Sequence, residues 1–278
     1  MPRIALGLEY DGSAFRGWQA QADALGVQTP LEQALSRVAD HPIEVTAAGR
    51  TDAGVHASMQ VVHFDTEAVR TARGWVLGAN TNLPSQISAL WAQEVPPAFH
   101  ARYSALARRY RYLILNRGSR PALDANRVCW IRDPLDAPRM HEAAQFLIGE
   151  HDFSSFRAAE CQARTPMRCV YRIDVTRERE FVTLDVTANA FLHHMVRNIA
   201  GVLIAIGSGE RPIEWVAEVL AARDRKQGGV TAAPGGLYLA GVRYAESLRL
   251  PSESSQSWVA ACRAGPDVAA CRAEPDEV

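Results

Sequence analysis

The chain is nearly without lysine. Lys226 is the one lysine among its 30 basic residues, so any polyanion it meets is met by arginine, whose planar fork grips phosphate oxygens in pairs. It also lacks a long apolar run. The longest, "IAGVLIAIG" over 199–207, falls far short of the roughly 20 residues a helix needs to cross a bilayer. The opening "MPRIALGLEYDG" has no apolar signal-peptide region. Five cysteines are an odd number, with no C-x-x-C pair and no zinc-finger spacing, which argues against a disulfide framework and for free thiols in a cytoplasmic protein. The phosphate-binding G-x-x-x-x-G-K-[ST], a G-x-G-x-x-G after a strand, and the nucleophile elbow G-x-S-x-G are all missing. "MHEAAQF" only begins like the zinc motif H-E-x-x-H. The expectation is therefore no cofactor and no metal.

Hydrophobic residues make up 47% of the 278 and charged residues 22%, so the chain can bury a sizeable core. Net charge is −1, and bulk charge does not announce a nucleic-acid binder. The last 28 residues hold five acids and two arginines, which leaves the body before them slightly positive.

Hydrophobic periodicity sets the order of elements. Residues 3 to 10 alternate as a strand. "TPLEQALSRVAD" reads as a helix, with Thr29 as cap, Pro30 at the first helical position and Glu32 closing a capping box. "IEVTA" and "MQVVHF" read as strands, 67–79 as a helix and "QISALWAQEV" as a strand. The second half repeats the order. "YRYLILN" is a strand and "APRMHEAAQFLIG" a helix. "VYRIDVTRE" and "FVTLDVTAN" form a hairpin, "FLHHMVRNIAGVLIAIG" and "PIEWVAEVLAARD" are helices, and "LYLAGVRY" is a last strand. Each half spells β-α-β-β-α-β, the ferredoxin-like unit. The expected fold is α/β: two such sandwich domains, 1–105 and 106–249, followed by a disordered tail over 250–278.

Three stretches could carry chemistry. "AAGRTDAGVHA" packs Arg50, Asp52 and His56 between glycines, which permit a tight turn that presents a carboxylate; the plainer reading is a solvated turn. "FHARYSALARRYRYLILNRGSR" interleaves arginines with Tyr103, Tyr110 and Tyr112, as phosphate contact plus base stacking would ask; the plainer reading is a strand with its tyrosines in the core. In "NAFLHHMVRN", helical spacing sets His193 and His194 about 100° apart, poor geometry for a shared metal. Arg197 lies in the apolar front of that helix. A buried arginine needs a carboxylate partner, and Asp52 is the candidate.

Together these residues resemble the tRNA pseudouridine synthases of the TruA type. The resemblance runs from about residue 3 to 247, through "IALGLEYDGSAFRGWQ", "VQTPLEQAL", "AGRTDAGVHA", "NTNLP", "FHARYSALARRYRY", "EHDFSSFR", "NAFLHHMVRNIAG" and "GLYL". It implies isomerisation of uridine to pseudouridine at positions 38, 39 and 40 of the tRNA anticodon arm, without metal or cofactor. It implies two ferredoxin-like domains with the active-site cleft between them, and a homodimer with one tRNA lying across both subunits. Asp52 matches the family's catalytic aspartate, Arg197 its paired arginine, Tyr110 the tyrosine that packs on the target base, and Arg50 an arginine beside the aspartate. Two other readings compete. A non-catalytic RNA-binding protein gives no reason for Asp52 and Arg197 together. A glycoside or nucleoside hydrolase wants a second carboxylate, for which Asp11 is the candidate.

Overall fold

The computed structural model describes residues 1–19 and 25–251. All but the first two residues of the expected tail lie outside that range. The first half runs β1 (Arg3–Tyr10), α1 (Gln28–Ala39), β2 (Thr46–Ala47), β3 (His56–Asp65), α2 (Ala72–Asn82) and β4 (Ile87–Val95). The second runs β5 (Ala107–Asn116), β6 (Cys129–Ile131), α3 (Ala137–Gln145), β7 (Gly149–Asp152), β8 (Met167–Glu178), β9 (Phe181–Ala188), α4 (Met195–Gly207), α5 (Trp215–Ala222) and β10 (Leu237–Arg243). The expected order is present, with β6 and β7 as short additions.

Several boundaries move, each for a local reason. The stripe Leu31, Ala34, Leu35 and Ala39 is buried as expected, yet the capping box does not form. Val27 precedes the helix without a side-chain cap. Glu32 instead takes the amide of Gln28 at 2.8 Å and the Val45 N–H at 3.0 Å. That bond, with Ile43 N–H donating to Ser36 Oγ at 2.8 Å, draws 43–45 away from the sheet and shortens the expected strand to β2. Helix α2 begins at Ala72 rather than 67, because Thr71 caps it by accepting the Gly74 N–H at 3.0 Å. Helix α4 begins only at Met195, because His194 holds φ 62° and ψ 4°, a left-handed conformation that ends the helical run toward the N-terminus.

The strands form one sheet in the order β4-β1-β3-β10-β5-β9-β8-β7, with β2 added on β3 and β6 on β5. The first half contributes β4-β1-β3-β2, its last, first, third and second strands. The second contributes β10-β5-β9-β8, again last, first, third and second among its main strands. That shared order is the ferredoxin-like topology twice over. Helix α2 lies on β4, α3 on β8 and α4 on β5, with α1 packed on α2 and α3 on α4.

The halves meet where β10 runs parallel to the start of β3, pairing Tyr238 with His56 and Leu239 with Ala57. Across β10, Leu239 faces Tyr110 of β5. The glycine loop at 48–55 runs straight into β3, so the fold delivers it to this seam. A core that includes Leu8, Leu35, Phe64, Tyr112, Ile114, Leu184, Ile199 and Leu203 runs through both halves. Each fully buried side chain of that size contributes about 1.5–3 kcal/mol, which makes the seam a continuous part of the interior.

Candidate active site

The glycine loop at 48–55 is no solvated turn: it is held at nearly every residue. Ala48 N–H donates to Val61 O at 2.8 Å, Trp18 N–H to Thr51 O at 2.9 Å, and Gly54 N–H to Phe15 O at 3.2 Å. Gln60, fully buried, donates its amide to Gly49 O at 2.6 Å. The hydroxyls of Tyr10 and Thr51 share a hydrogen bond of 2.8 Å. Val55 N–H closes a turn onto Asp52 O at 3.1 Å, with Gly54 at φ 74°, where a side chain would be strained. Gly12 lies so close that a Cβ on it would sit 1.9 Å from Val55 O. Gly54 therefore serves the turn and Gly12 the close approach, and the loop presents Asp52 in one conformation.

Asp52 is partly buried, its side chain 23% exposed. Three groups from the other half of the chain converge on it. Arg197 places Nη1 3.5 Å from Oδ2, while its Nε donates to Ala232 O at 2.9 Å. His193 Nε2 stands 3.2 Å from Oδ1 and His194 Nε2 3.4 Å from Oδ2. The expected pairing of Asp52 with Arg197 is present. The expected divergence of the two histidines is not, because neither lies on the helix. The left-handed turn at His194 brings their rings to 4.0 Å between centroids, and both face one carboxylate. Helical periodicity gave no sign of this, and without a glycine there nothing marked the turn.

The charges follow from burial. Burial holds His194 below the ordinary imidazole value; Asp52 pulls the other way, while His193 and Arg197 add to the lowering. His194 is thus a neutral hydrogen-bonding partner near pH 7. Beneath the loop, Tyr110 is buried and packs edge-on to Phe191 with ring centroids 4.9 Å apart. Burial first, then Tyr10 and Asp52, push its phenol up, so it stays protonated and presents a neutral ring. Tyr112, on the same face, is also buried and donates to Ala233 O at 2.7 Å. Arg50 is exposed, and among the described residues no hydrogen bond or ion pair fixes its guanidinium. It stands two positions before Asp52, free to reach outward.

The arginine-rich strand divides between structure and surface. Arg108 donates to the carbonyls of Ala105 and Asn189 at 3.1 and 3.0 Å and to that of Ala48 at 3.1 Å, tying the glycine loop to β5. Arg109 and Arg111 both bind Asp185 at 2.7 Å. Arg102 and Arg120 are exposed, and Arg102 lies over the exposed ring of Tyr103 at 5.6 Å. Of this stretch, the two outer arginines keep the better access to a polyanion. Asp11, the candidate second carboxylate, is engaged elsewhere. It pairs with Arg127 at 2.9 Å, accepts the Ser13 N–H at 3.0 Å and lies 3.2 Å from buried His56. Burial opposes its charge, but the bonds from Ser13 and Arg127 outweigh it and hold the carboxyl low.

No helix among the described residues is long and apolar enough to cross a membrane. The sequence matches the family described as tRNA pseudouridine synthase over residues 8–104 and 143–245. Among curated proteins it is 60% identical over 249 residues to tRNA pseudouridine synthase A of Nitrosococcus oceani, covering 90% of this chain and 96% of that one. It is 59% identical over 251 residues to the protein of that name from Coxiella burnetii, covering 90% and 96%. With that of Pseudomonas aeruginosa it shares 58% over 250 residues, covering 90% and 88%. Among solved structures, a chain of the Cbf5-Nop10-Gar1 complex reaches a TM-score of 0.33 at 11% identity, over 84% of this chain and 57% of that one.

Proposed function

The chain belongs to the tRNA pseudouridine synthase family, and on that premise we propose that it isomerises uridine to pseudouridine at positions 38 to 40 of the tRNA anticodon arm, with Asp52 as the catalytic carboxylate. The observation that carries this reading is Asp52 itself. One carboxylate, fixed by its loop and faced by Arg197, His193 and His194, stands at the seam of two ferredoxin-like halves.

The reaction breaks the N1–C1′ bond, turns the base without releasing it, and joins C5 to C1′ while C5 loses its hydrogen. As the first bond lengthens, positive charge grows on the sugar. A carboxylate already oriented there stabilises that charge without reorganising. Arg197, anchored by the Ala232 carbonyl, keeps Asp52 aimed. Drawing the uridine out of its stack costs a few kcal/mol. Stacking on Tyr110 returns about 1–3 kcal/mol. Arg50, exposed two positions before Asp52, helps extrude the base or fills the place it leaves.

The same reading has the protein acting as a homodimer on one tRNA, in the cytoplasm, with no metal or cofactor in the reaction. The halves divide near residue 105. Mapping pseudouridine in tRNA transcripts treated with the purified protein tests the proposal. Product at one or more of positions 38 to 40 supports it. Free uracil would instead indicate a hydrolase, and bound but unchanged tRNA a binding protein.

A further inference from the structure

We propose that Asp52, His193 and His194 also form a binding site for a divalent transition-metal ion, zinc foremost, and that such an ion shuts the enzyme off. The inhibitory part rests on Asp52 being the catalytic carboxylate; the binding part does not.

The geometry gathers three metal-ligating side chains around one point. One oxygen of Asp52 and the Nε2 atoms of both histidines lie within 4.8 Å of one another. His193 Nε2 lies 3.2 Å from Oδ1 and His194 Nε2 3.4 Å from Oδ2, so binding one ion asks the carboxylate to turn one oxygen toward both rings. Zinc bound tetrahedrally at about 2.0–2.1 Å sets neighbouring ligand atoms about 3.3 Å apart. The left-handed backbone at His194 turns two successive imidazoles to one side, which a helix could not do. All three side chains keep some exposure, 23% for Asp52, 35% for His193 and 29% for His194. An ion can therefore enter from the cleft and keep a fourth position for water.

Arg197 opposes a second cation, since Nη1 stands 3.5 Å from Asp52 Oδ2. The ion is best placed toward Oδ1 and His193, on the side away from that contact. Glu160 acts on His194 with the opposite sign and offsets part of the repulsion. This balance selects among metals. Two imidazoles and one carboxylate suit zinc, copper and nickel. Magnesium, which prefers oxygen ligands and sheds its water reluctantly, gains too little to enter. The magnesium that accompanies tRNA leaves the enzyme active, while zinc takes the lone pairs of Asp52 and sets a double positive charge where the sugar must approach.

The test uses the full chain freed of metal with a chelator. Cobalt(II), a coloured zinc substitute, is titrated in and its visible absorption followed, with zinc added as competitor. Wild type is expected to bind near one equivalent of cobalt that zinc displaces and magnesium does not. Asp52→Asn, His193→Gln and His194→Gln should each weaken binding by at least about tenfold, the loss that removing even an outer partner of a metal ligand causes. Absence of saturable binding overturns the site, as does binding that all three variants retain, since other cysteines and histidines then hold the ion. Activity is read in parallel. Zinc that binds here and inhibits reversibly supports the whole proposal. Zinc that binds here while pseudouridine still forms at full rate overturns the inhibitory part alone; the role of Asp52 is read separately, from the activity of metal-free Asp52→Asn.

Discussion

Arg197 Nη1 lies 3.5 Å from Oδ2 of Asp52, across 145 positions of sequence and from the opposite half of the fold. Its Nε is tied to Ala232 O at 2.9 Å, so the guanidinium bridges a backbone carbonyl and the carboxylate at once. Lysine has a single charged nitrogen and cannot make both contacts with the same geometry. Arg197→Lys is therefore expected to lower kcat by on the order of a hundredfold, the scale of a small misplacement of a reacting group, with tRNA affinity changed much less. Single-turnover rates beside filter binding check this. A variant with near-normal kcat would remove Arg197 from the mechanism.

Tyr110 offers a ring to the base and a protonated hydroxyl. If stacking is its task, Tyr110→Phe keeps most activity, and Tyr110→Ala loses the roughly 1–3 kcal/mol of a stacked base, about tenfold or more in kcat/KM. Comparing the two under single turnover separates ring from hydroxyl. Equal losses would assign the role to the hydroxyl.

His63 gives the fold a dependence on acid. It is nearly fully buried, and its Nδ1 accepts the Ala101 N–H at 3.1 Å. Burial first, then Arg3 and His100, push its pKa from 6.5 down to about 4. Above pH 6.5 the ring is neutral in both folded and unfolded chains and pH has no effect through it. Between 6.5 and about 4 the unfolded chain gains a proton that the folded chain refuses, so stability falls with pH by up to about 1.4 kcal/mol per unit. Urea midpoints at pH 7 and pH 5 measure the fall. His56, His100 and His194 are lowered too and remain in His63→Gln, so a shallower slope in that variant reports His63 alone. An unchanged slope would contradict the assignment.

Much of this was legible in the chain. Short apolar-rich runs marked β1, β4 and β10, and the apolar stripe of 31–39 marked α1, because burial of one helical face leaves a period in the sequence. The Asp52–Arg197 pair was legible because an arginine among apolar helical positions needs a counter-charge. The seam was not. Leu239 pairs with Ala57 across 182 positions, and a parallel pairing at that distance leaves no local trace. The histidines were misplaced because Phe191 and Met195 continue the helical spacing backward, although the helix itself stops at Met195. The arginines of residues 99–120 looked alike in sequence. Their separation into internal ties and exposed groups depends on Asp185 and on carbonyls from distant loops.

The most direct test of the central claim is tritium release from tRNA transcripts labelled at C5 of uridine, for wild type and Asp52→Asn. C5 gives up its hydrogen only when it joins C1′, so release counts isomerisation, whereas hydrolysis leaves the label on free uracil. The account predicts release by wild type and none by Asp52→Asn, with both proteins binding tRNA. Release by Asp52→Asn at a rate near that of wild type would contradict it.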